Sequence, residues 1–278
     1  MKNFVFVLFS LISPAVWGQQ PAGEFSAFIG GGLSLLKYSP GAASPKAGGS
    51  AGLGYRYYLS PQWSIGSGAG LQLYNSQINL NQISGSSQAG DAEGSPFEFR
   101  YNAANYRESQ TAFYVAVPLN VQFETAASKT AWYINMGGKM ACPVRARYQA
   151  EIPELATTGY YPEWNVELAA PAFMGFGQWQ NVGSEKRELK TKTAFLLTAE
   201  TGIKRQGGWL AYIGVYADYG LNNILKAGER SAVIRYLTDI PSQFSYQSVT
   251  TSLNGDGNPW AEKLNLFALG VKLRFVIR

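Results

Sequence analysis

Glu200 and Asp218 come nearest to a catalytic pair in this sequence of 278 residues. Each lies on the polar side of a segment in which apolar and polar residues alternate, so both side chains are expected to face one interior. Two such carboxylates could act as general acid and general base in hydrolysis. Basic residues occupy the same polar sides, and ion pairing offsets the cost of burying a carboxylate. We therefore predict an ion-pair network in this interior, which we call the lumen, rather than an active site. Its members are Arg56, Glu124, Lys139, Arg145, Glu200, Lys204, Asp218, Lys272 and Arg274.

Residues for other chemistries are scarce. The sequence has no histidine, which removes histidine-dependent triads and histidine metal ligands. Cys142 is the only cysteine, so neither an internal disulfide nor a cysteine zinc site can form. The alternate glycines at 66, 68 and 70 follow the strand period, and no Gly-Lys-Ser/Thr follows them as in a phosphate-binding loop. We predict a protein that is not an enzyme and has no catalytic, cofactor-binding or metal site.

The composition excludes several broad classes of protein. Charged residues make up 15% of the chain, against roughly 25% in ordinary soluble domains, while aromatic residues reach 14% and glycines number 31. Such a chain is neither disordered nor a coiled coil. Its 23 basic residues are scattered without clustered runs, so no nucleic-acid partner is expected despite the net charge of +5.

The N-terminus has the features of a secretory signal peptide. A positive charge at Lys2 precedes an apolar stretch at 4–12, and small residues stand at Val16 and Gly18. We predict cleavage after Gly18, with residues 1–18 as the signal peptide. Residues 19–278 then form one mature domain, whose fold follows from the residue pattern along it.

Strict alternation of apolar and polar residues predicts β-strands along the rest of the chain. At 267–277 the odd-numbered residues are all apolar, whereas the even-numbered ones include Gly270, Lys272 and Arg274. The same pattern recurs until eight strands can be counted, at 24–36, 47–59, 63–74, 113–124, 132–148, 194–204, 209–222 and 267–277.

The second face of these strands distinguishes two all-β folds. A soluble β-sandwich also hides one face of each strand, but its other face would present threonine, lysine and glutamate to water. Here that face is rich in glycine, which suits the narrow interior of a small barrel. We predict an all-β fold, an eight-stranded antiparallel transmembrane β-barrel with long extracellular loops.

The links between the strands predict how the barrel sits in the membrane. The links after the second, fourth and sixth strands are short, whereas those at 75–112, 149–193 and 223–262 are long. Outer-membrane barrels have short periplasmic turns and longer outer loops. We predict a bacterial outer membrane location, with the N- and C-termini in the periplasm and with lipopolysaccharide and phospholipid as lipid partners.

Four segments resemble a known family of proteins. They are 58–68 (YLSPQWSIGSG), 113–121 (FYVAVPLNV), 216–224 (YADYGLNNI) and 269–275 (LGVKLRF). Together they resemble the porin-like outer-membrane β-barrel family common in Bacteroidota, small OmpA/OmpX-like barrels without a peptidoglycan-binding domain. The resemblance implies either a structural barrel or a subunit of an envelope secretion or assembly machine.

Aromatic residues concentrate in the long link at 149–193. Exposed aromatic side chains often anchor interfaces, and long loops without a function are uncommon. They could equally fold back as a lid over the barrel mouth. We predict a scaffold or interaction subunit that binds other envelope proteins. The alternatives are a narrow channel for small solutes and an enzyme that uses carboxylates in the lumen. The candidate interface residues are Tyr160, Tyr161, Trp164, Phe173, Phe176 and Trp179.

Overall fold

The computed structural model describes residues 23–277, except 92, 127–128, 185, 206–209, 227 and 229. The predicted signal peptide, residues 1–18, therefore lies outside the described residues. No helix among the described residues is long and apolar enough to cross a membrane. Strands dominate the structure, together with two short 3₁₀ turns at Ala172–Met174 and Val249–Thr251. The strands are β1 (Gly23–Ser39), β2 (Ala43–Tyr58), β3 (Trp63–Gly90), β4 (Pro96–Glu124), β5 (Thr130–Tyr161), β6 (Val166–Leu168), β7 (Gly177–Gly183), β8 (Arg187–Glu188), β9 (Ala194–Arg205), β10 (Ala211–Gly220), β11 (Ile234–Tyr236), β12 (Phe244–Tyr246) and β13 (Lys263–Ile277).

Eight of these strands form a closed antiparallel ring. Consecutive strands β1 to β5 pair with one another, β5 pairs with β9, β9 with β10, and β10 with β13. The ring closes where β13 pairs with β1, from Phe25 opposite Ile277 to Ser39 opposite Lys263. The eight-stranded antiparallel barrel predicted from the sequence is therefore confirmed.

The two faces of each barrel strand meet different surroundings. In β10, Ile213 and Val215 are exposed on the outer surface, whereas Tyr212 and Tyr216 are buried inside. This alternation surrounds the barrel with an apolar outer belt, which suits contact with lipid and would be a liability in water. The belt includes Phe25, Ile29, Leu33, Leu71, Val117, Leu119, Ile134, Met136, Leu197, Leu269 and Val271.

Inward-facing glycines make room for large side chains in the lumen. A Cβ atom at Gly66 would lie 2.9 Å from Asn120 Oδ1 and 3.1 Å from Arg56 Nη2. A Cβ atom at Gly214 would overlap the hydroxyl group of Tyr133. The glycine-rich inner face predicted from the sequence is thus the space that tyrosine and arginine side chains fill.

The barrel has a turn end and a loop end. At the turn end, β2 and β3, β4 and β5, and β9 and β10 are separated by only four or five residues of sequence. At the loop end, residues from the long links close the mouth of the barrel. Leu189, Ile224, Leu225 and Ala261 are buried there against inward-facing tyrosines, which include Tyr74, Tyr114 and Tyr216.

Strands β3, β4 and β5 continue beyond the barrel as a strand extension, formed by residues 79–90, 96–107 and 150–161. At roughly 3.3 Å per residue, the last part of β5 reaches about 40 Å along the strand. The predicted long segments are present, but 75–90, 96–112, 149–161 and 177–183 are paired strands rather than irregular loops.

The strand extension has a hydrophobic core of its own. Side chains from β3, β4 and β5 pack there against residues 232–249 and against Phe176. Aromatic rings fill much of this core; Phe97, for example, packs on Tyr161, Phe176 and Tyr236 at centroid distances of 5.1–5.4 Å. This second core keeps the extension ordered outside the barrel.

Candidate functional site

The lumen at the turn end is filled by a cluster of charged and phenolic groups. Lys204 Nζ donates to Glu124 Oε2 at 2.7 Å, and Glu24 Oε2 lies 3.8 Å from the same Nζ. The Tyr58 hydroxyl lies 3.0 Å from oxygens of both glutamates and 3.1 Å from the Tyr212 hydroxyl. Side chains from strands on opposite sides of the barrel therefore meet in the lumen and close it.

Two arginines occupy the next level of the lumen. Arg274 donates to Gln122 Oε1 at 2.8 Å, and its guanidinium stacks 3.8 Å from the ring centre of Tyr212. Arg56 donates to Ser64 Oγ and to Asn120 Oδ1, each at 3.2 Å. Among the described residues, neither guanidinium lies within 4.0 Å of a carboxylate oxygen.

Two lysine–carboxylate pairs lie further along the lumen. Lys272 Nζ and the Tyr133 hydroxyl both donate to Glu200 at 2.7 Å. Lys139 Nζ donates to Asp218 Oδ2 at 2.6 Å, and Gln72 Nε2 donates to the same oxygen at 2.8 Å. Each carboxylate thus has its own ammonium group and a neutral donor.

Strand register explains how the first of these pairs forms. On β10, Tyr216 lies opposite Glu200 of β9, while Gly214 lies opposite Lys272 of β13. Because Gly214 has no side chain, the lysine can cross the inner face of β10 and reach the glutamate. The sequence supplies this arrangement by placing a glycine two residues before Tyr216.

Arg145 does not belong to the lumen network, contrary to the sequence-based prediction. The pairing of β4 with β5 shifts between Phe113, opposite Arg145, and Tyr114, opposite Pro143. The extra residue forms a β-bulge, so Val144 and Arg145 are both exposed on the outer surface. Beyond it the phase of β5 is inverted, and Ala146 and Tyr148 are buried inside instead.

The structure brings eight of the nine predicted lumen residues into one interior: Arg56, Glu124, Lys139, Glu200, Lys204, Asp218, Lys272 and Arg274. Glu24 joins them and was missed by the sequence analysis, although it lies in phase with the inward-facing Ser26 and Gly30 of the same strand. Among the described residues, no group of three or more Asp, Glu or Cys side chains could hold a metal ion.

The candidate interface residues of the link at 149–193 separate into two groups. Phe176 and Tyr161 are buried in the extension core, and Trp179 packs against it. Tyr160 is partly buried beneath the Arg100 guanidinium, 4.3 Å from its ring centre. Trp164 and Phe173 are exposed, with 58% and 74% of their surface accessible.

Glu108 is a buried carboxylate at the base of the strand extension, beyond the outward-facing ring of Phe113. It accepts hydrogen bonds from Ser248 Oγ at 2.6 Å and from the Val249 amide at 2.8 Å. Tyr106 and Gln110 donate to it as well, each at 2.7 Å. Burial raises the pKa of the Glu108 carboxyl above its usual range, against the opposing effect of these hydrogen bonds.

The closed ring, the apolar outer belt and the charged, filled lumen define a transmembrane β-barrel of the outer-membrane type. The chain belongs to the outer membrane protein beta-barrel domain family, whose model matches residues 17–226. It is accordingly an outer-membrane protein.

Several solved structures are similar to this chain, including Ail and Neisserial surface protein A. Ail, the attachment invasion locus protein of Yersinia pestis, is 10% identical, with 92% of this chain and 99% of that chain covered and a TM-score of 0.31. Neisserial surface protein A is 8% identical, with 91% and 97% covered and a TM-score of 0.34. A search of curated proteins gave no match.

Proposed function

We propose that this protein is a non-enzymatic scaffold or interaction subunit of the bacterial envelope, which binds other envelope proteins through its strand extension. The observation that carries the proposal is the extension itself, with its own aromatic core outside the apolar belt. A structure built only to span the membrane would not need strands as long as β4 and β5, because about 9–11 residues per strand suffice. A subunit of a secretion or outer-membrane assembly complex would bind its partners through such a surface.

The lumen favours a scaffold over a channel for small solutes. Ion pairs fill it from the turn end to the level of Asp218, and the apolar cluster around Ile224 closes the loop end. A conducting path would require both barriers to move.

The exposed apolar side chains near the tip of the extension offer an attachment surface. Trp164 stacks on the buried Tyr161 at 5.4 Å and so is held in place while most of its surface stays accessible. Phe173, Val166 and Ile240 are also exposed. Rigidly held aromatic side chains are effective interface anchors because little conformational entropy is lost when they bind.

We place the strand extension outside the cell and both termini in the periplasm, because outer-membrane barrels have their short turns on the periplasmic side. The apolar belt then contacts phospholipid in the inner leaflet and lipopolysaccharide in the outer leaflet. The resemblance to small porin-like barrels of Bacteroidota fits this orientation.

The scaffold proposal is tested by co-purification from native membranes. The tagged protein is expected to retain a stoichiometric partner, and the Trp164→Ser, Phe173→Ser double variant is expected to lose it. The matched control is Lys186→Ser, Lys190→Ser, which alters exposed residues of a different loop-end segment. Absence of any stoichiometric partner, or equal retention by both double variants, would argue against the proposed surface.

The channel alternative is tested in a planar bilayer. A filled lumen predicts no steady conductance from the purified protein. Well-resolved conductance steps in the unaltered protein, changed in ion preference by Glu200→Ala, would replace the scaffold proposal with the channel.

A further inference from the structure

The charges facing the lumen do not cancel. The five cations are Arg56, Lys139, Lys204, Lys272 and Arg274, and the four carboxylates are Glu24, Glu124, Glu200 and Asp218. With all of these groups charged, one positive charge remains in excess among the described residues. An uncompensated charge inside a low-dielectric wall is costly, and such a site favours a counter-ion.

The excess is localised at the level of the two arginines. Three carboxylates pair with the lysines at 2.6–2.7 Å, and the fourth, Glu24, lies 3.8 Å from Lys204. Within the described part of the chain, Arg56 and Arg274 form hydrogen bonds only with neutral groups. Both arginines are buried, with 5% and 7% of their surface exposed. Arg274 Nε is itself a buried donor without a hydrogen-bond partner in the described structure.

A small cavity lies where these groups converge. Its volume is about 70 Å³, and the charged residues of its lining are the four cations Arg56, Lys139, Lys272 and Arg274 and one carboxylate, Glu200, which already accepts from Lys272 and Tyr133. Asn135 lines it as well. The Asn135 side chain has a buried oxygen, Oδ1, without a hydrogen-bond partner in the described structure. Rotation of this amide exchanges its oxygen and nitrogen and directs an N–H donor into the cavity. The cavity therefore combines excess positive charge with unused or redirectable N–H donors.

We propose that this lumen cavity binds one small monovalent anion of the halide class, chloride under physiological conditions. A single halide balances the excess charge and accepts hydrogen bonds from N–H groups in several directions. A water molecule also accepts those hydrogen bonds but leaves the excess positive charge unbalanced. The small volume disfavours larger anions such as gluconate. The site is independent of the strand extension and of any partner bound there.

Bromide is the probe for this site. Crystals of the unaltered protein grown in bromide are expected to show an anomalous scattering peak in the lumen beside Arg56 and Arg274. In solution, replacing gluconate by bromide or chloride at constant ionic strength is expected to raise the unfolding midpoint by about 2–4 °C at tenfold more halide than the Kd. The absence of a lumen peak at high bromide would overturn the proposal.

Arg56→Gln tests whether the excess charge causes the halide effect. Glutamine keeps a donor near Ser64 and Asn120 but removes the charge, so this variant is expected to lose both the bromide peak and the halide-dependent rise. Its stability in gluconate should equal or exceed that of the unaltered protein. Arg145→Gln on the outer surface is the control and should keep the full halide response. A halide-dependent rise in Arg56→Gln equal to that of the unaltered protein would show that the ion acts elsewhere and would overturn the proposal. If Arg56→Gln does not fold, the presence or absence of the bromide peak in the unaltered protein decides.

Discussion

The protein buries carboxylates in two regions by different means. In the lumen, Glu124, Glu200 and Asp218 each contact an ammonium group at 2.6–2.7 Å. At the base of the strand extension, Glu108 is completely buried and has four hydrogen-bond donors but no cation within 4.0 Å in the described structure.

This difference follows from what each region must hold together. Lumen charges come from strands already fixed by the barrel ladder, so their pairs fill space inside a finished ring. Glu108 instead attaches a separate segment, around Ser248 and Val249, to the paired strands. A lumen carboxylate is therefore expected to affect the stability of the whole barrel, whereas Glu108 affects one local attachment.

The largest effect is expected from Glu200→Ala. It leaves Lys272 buried without its partner, at a cost of about 3–5 kcal/mol in the free energy of unfolding. The measurement is reversible unfolding in detergent or lipid, followed by the gel-mobility shift between folded and unfolded barrel. Glu163→Ala, at an exposed position, should change this energy by less than about 0.5 kcal/mol.

A double variant sharpens that result. Glu200→Leu combined with Lys272→Met replaces the ion pair by apolar side chains and should recover most of the lost stability, because no lone charge remains. If the double variant is as unstable as Glu200→Ala, packing around Tyr133 rather than charge is responsible.

Glu108→Ala should act locally. It removes the acceptor of the Val249 amide, and a hydrogen bond to a carboxylate contributes about 1.5–3 kcal/mol. Hydrogen exchange at Val249 should become about 10–100 times faster, while amides of β10 and β13 keep their protection. Equal loss of protection in the barrel strands would contradict the local role of this residue.

The attachment through Glu108 should strengthen in mild acid. Because the pKa of this carboxyl is raised in the folded protein, its contribution is fully present below about 4.5, the usual value, and is lost as pH rises through the raised pKa. After correction for intrinsic exchange, Val249 should be better protected at pH 5 than at pH 8. Glu108→Gln should remove this pH dependence; protection that instead falls in acid would reverse the assigned direction.

The smallest effect is expected from Arg145→Gln. The bulge at 143–145 directs this side chain outward, so its loss should change the free energy of unfolding by less than about 0.5 kcal/mol. A loss as large as that from Glu200→Ala would mean that Arg145 belongs to the lumen network after all.

The barrel could be predicted from the sequence because lipid and lumen impose opposite chemistry on alternate residues. That rule places Lys272 and Arg274 inside, and applied to the first residue of the predicted strand at 24–36 it would also have placed Glu24 there. It cannot reveal the bulge, which inverts the phase after Pro143, although a proline within a strand is a hint of one. The pairing of each lysine depends on the register of neighbouring strands, and for Lys272 also on the glycine at 214. These pairs therefore become visible only once the register is known.

The extension was missed because long links between barrel strands were expected to be irregular. Phe97, Phe99, Tyr101 and Ala103 alternate with polar residues, and all four are buried in the extension core. Their period of two was present in the sequence. This period does not reveal which surface packs against these residues. That surface is formed by residues 232–249, from a distant part of the chain.

The pairing of β1 with β13 has a consequence for how the protein forms. These are the first and last of the described strands, so the contact that closes the ring has the largest sequence separation in the fold. Such contacts form slowly, because a long chain segment must be ordered before they are made. Until β13 is in place, β1 and β10 each expose an unpaired edge on which other chains could add. The time between insertion of the first strand and arrival of the last is therefore the interval in which this barrel is most exposed to misassembly.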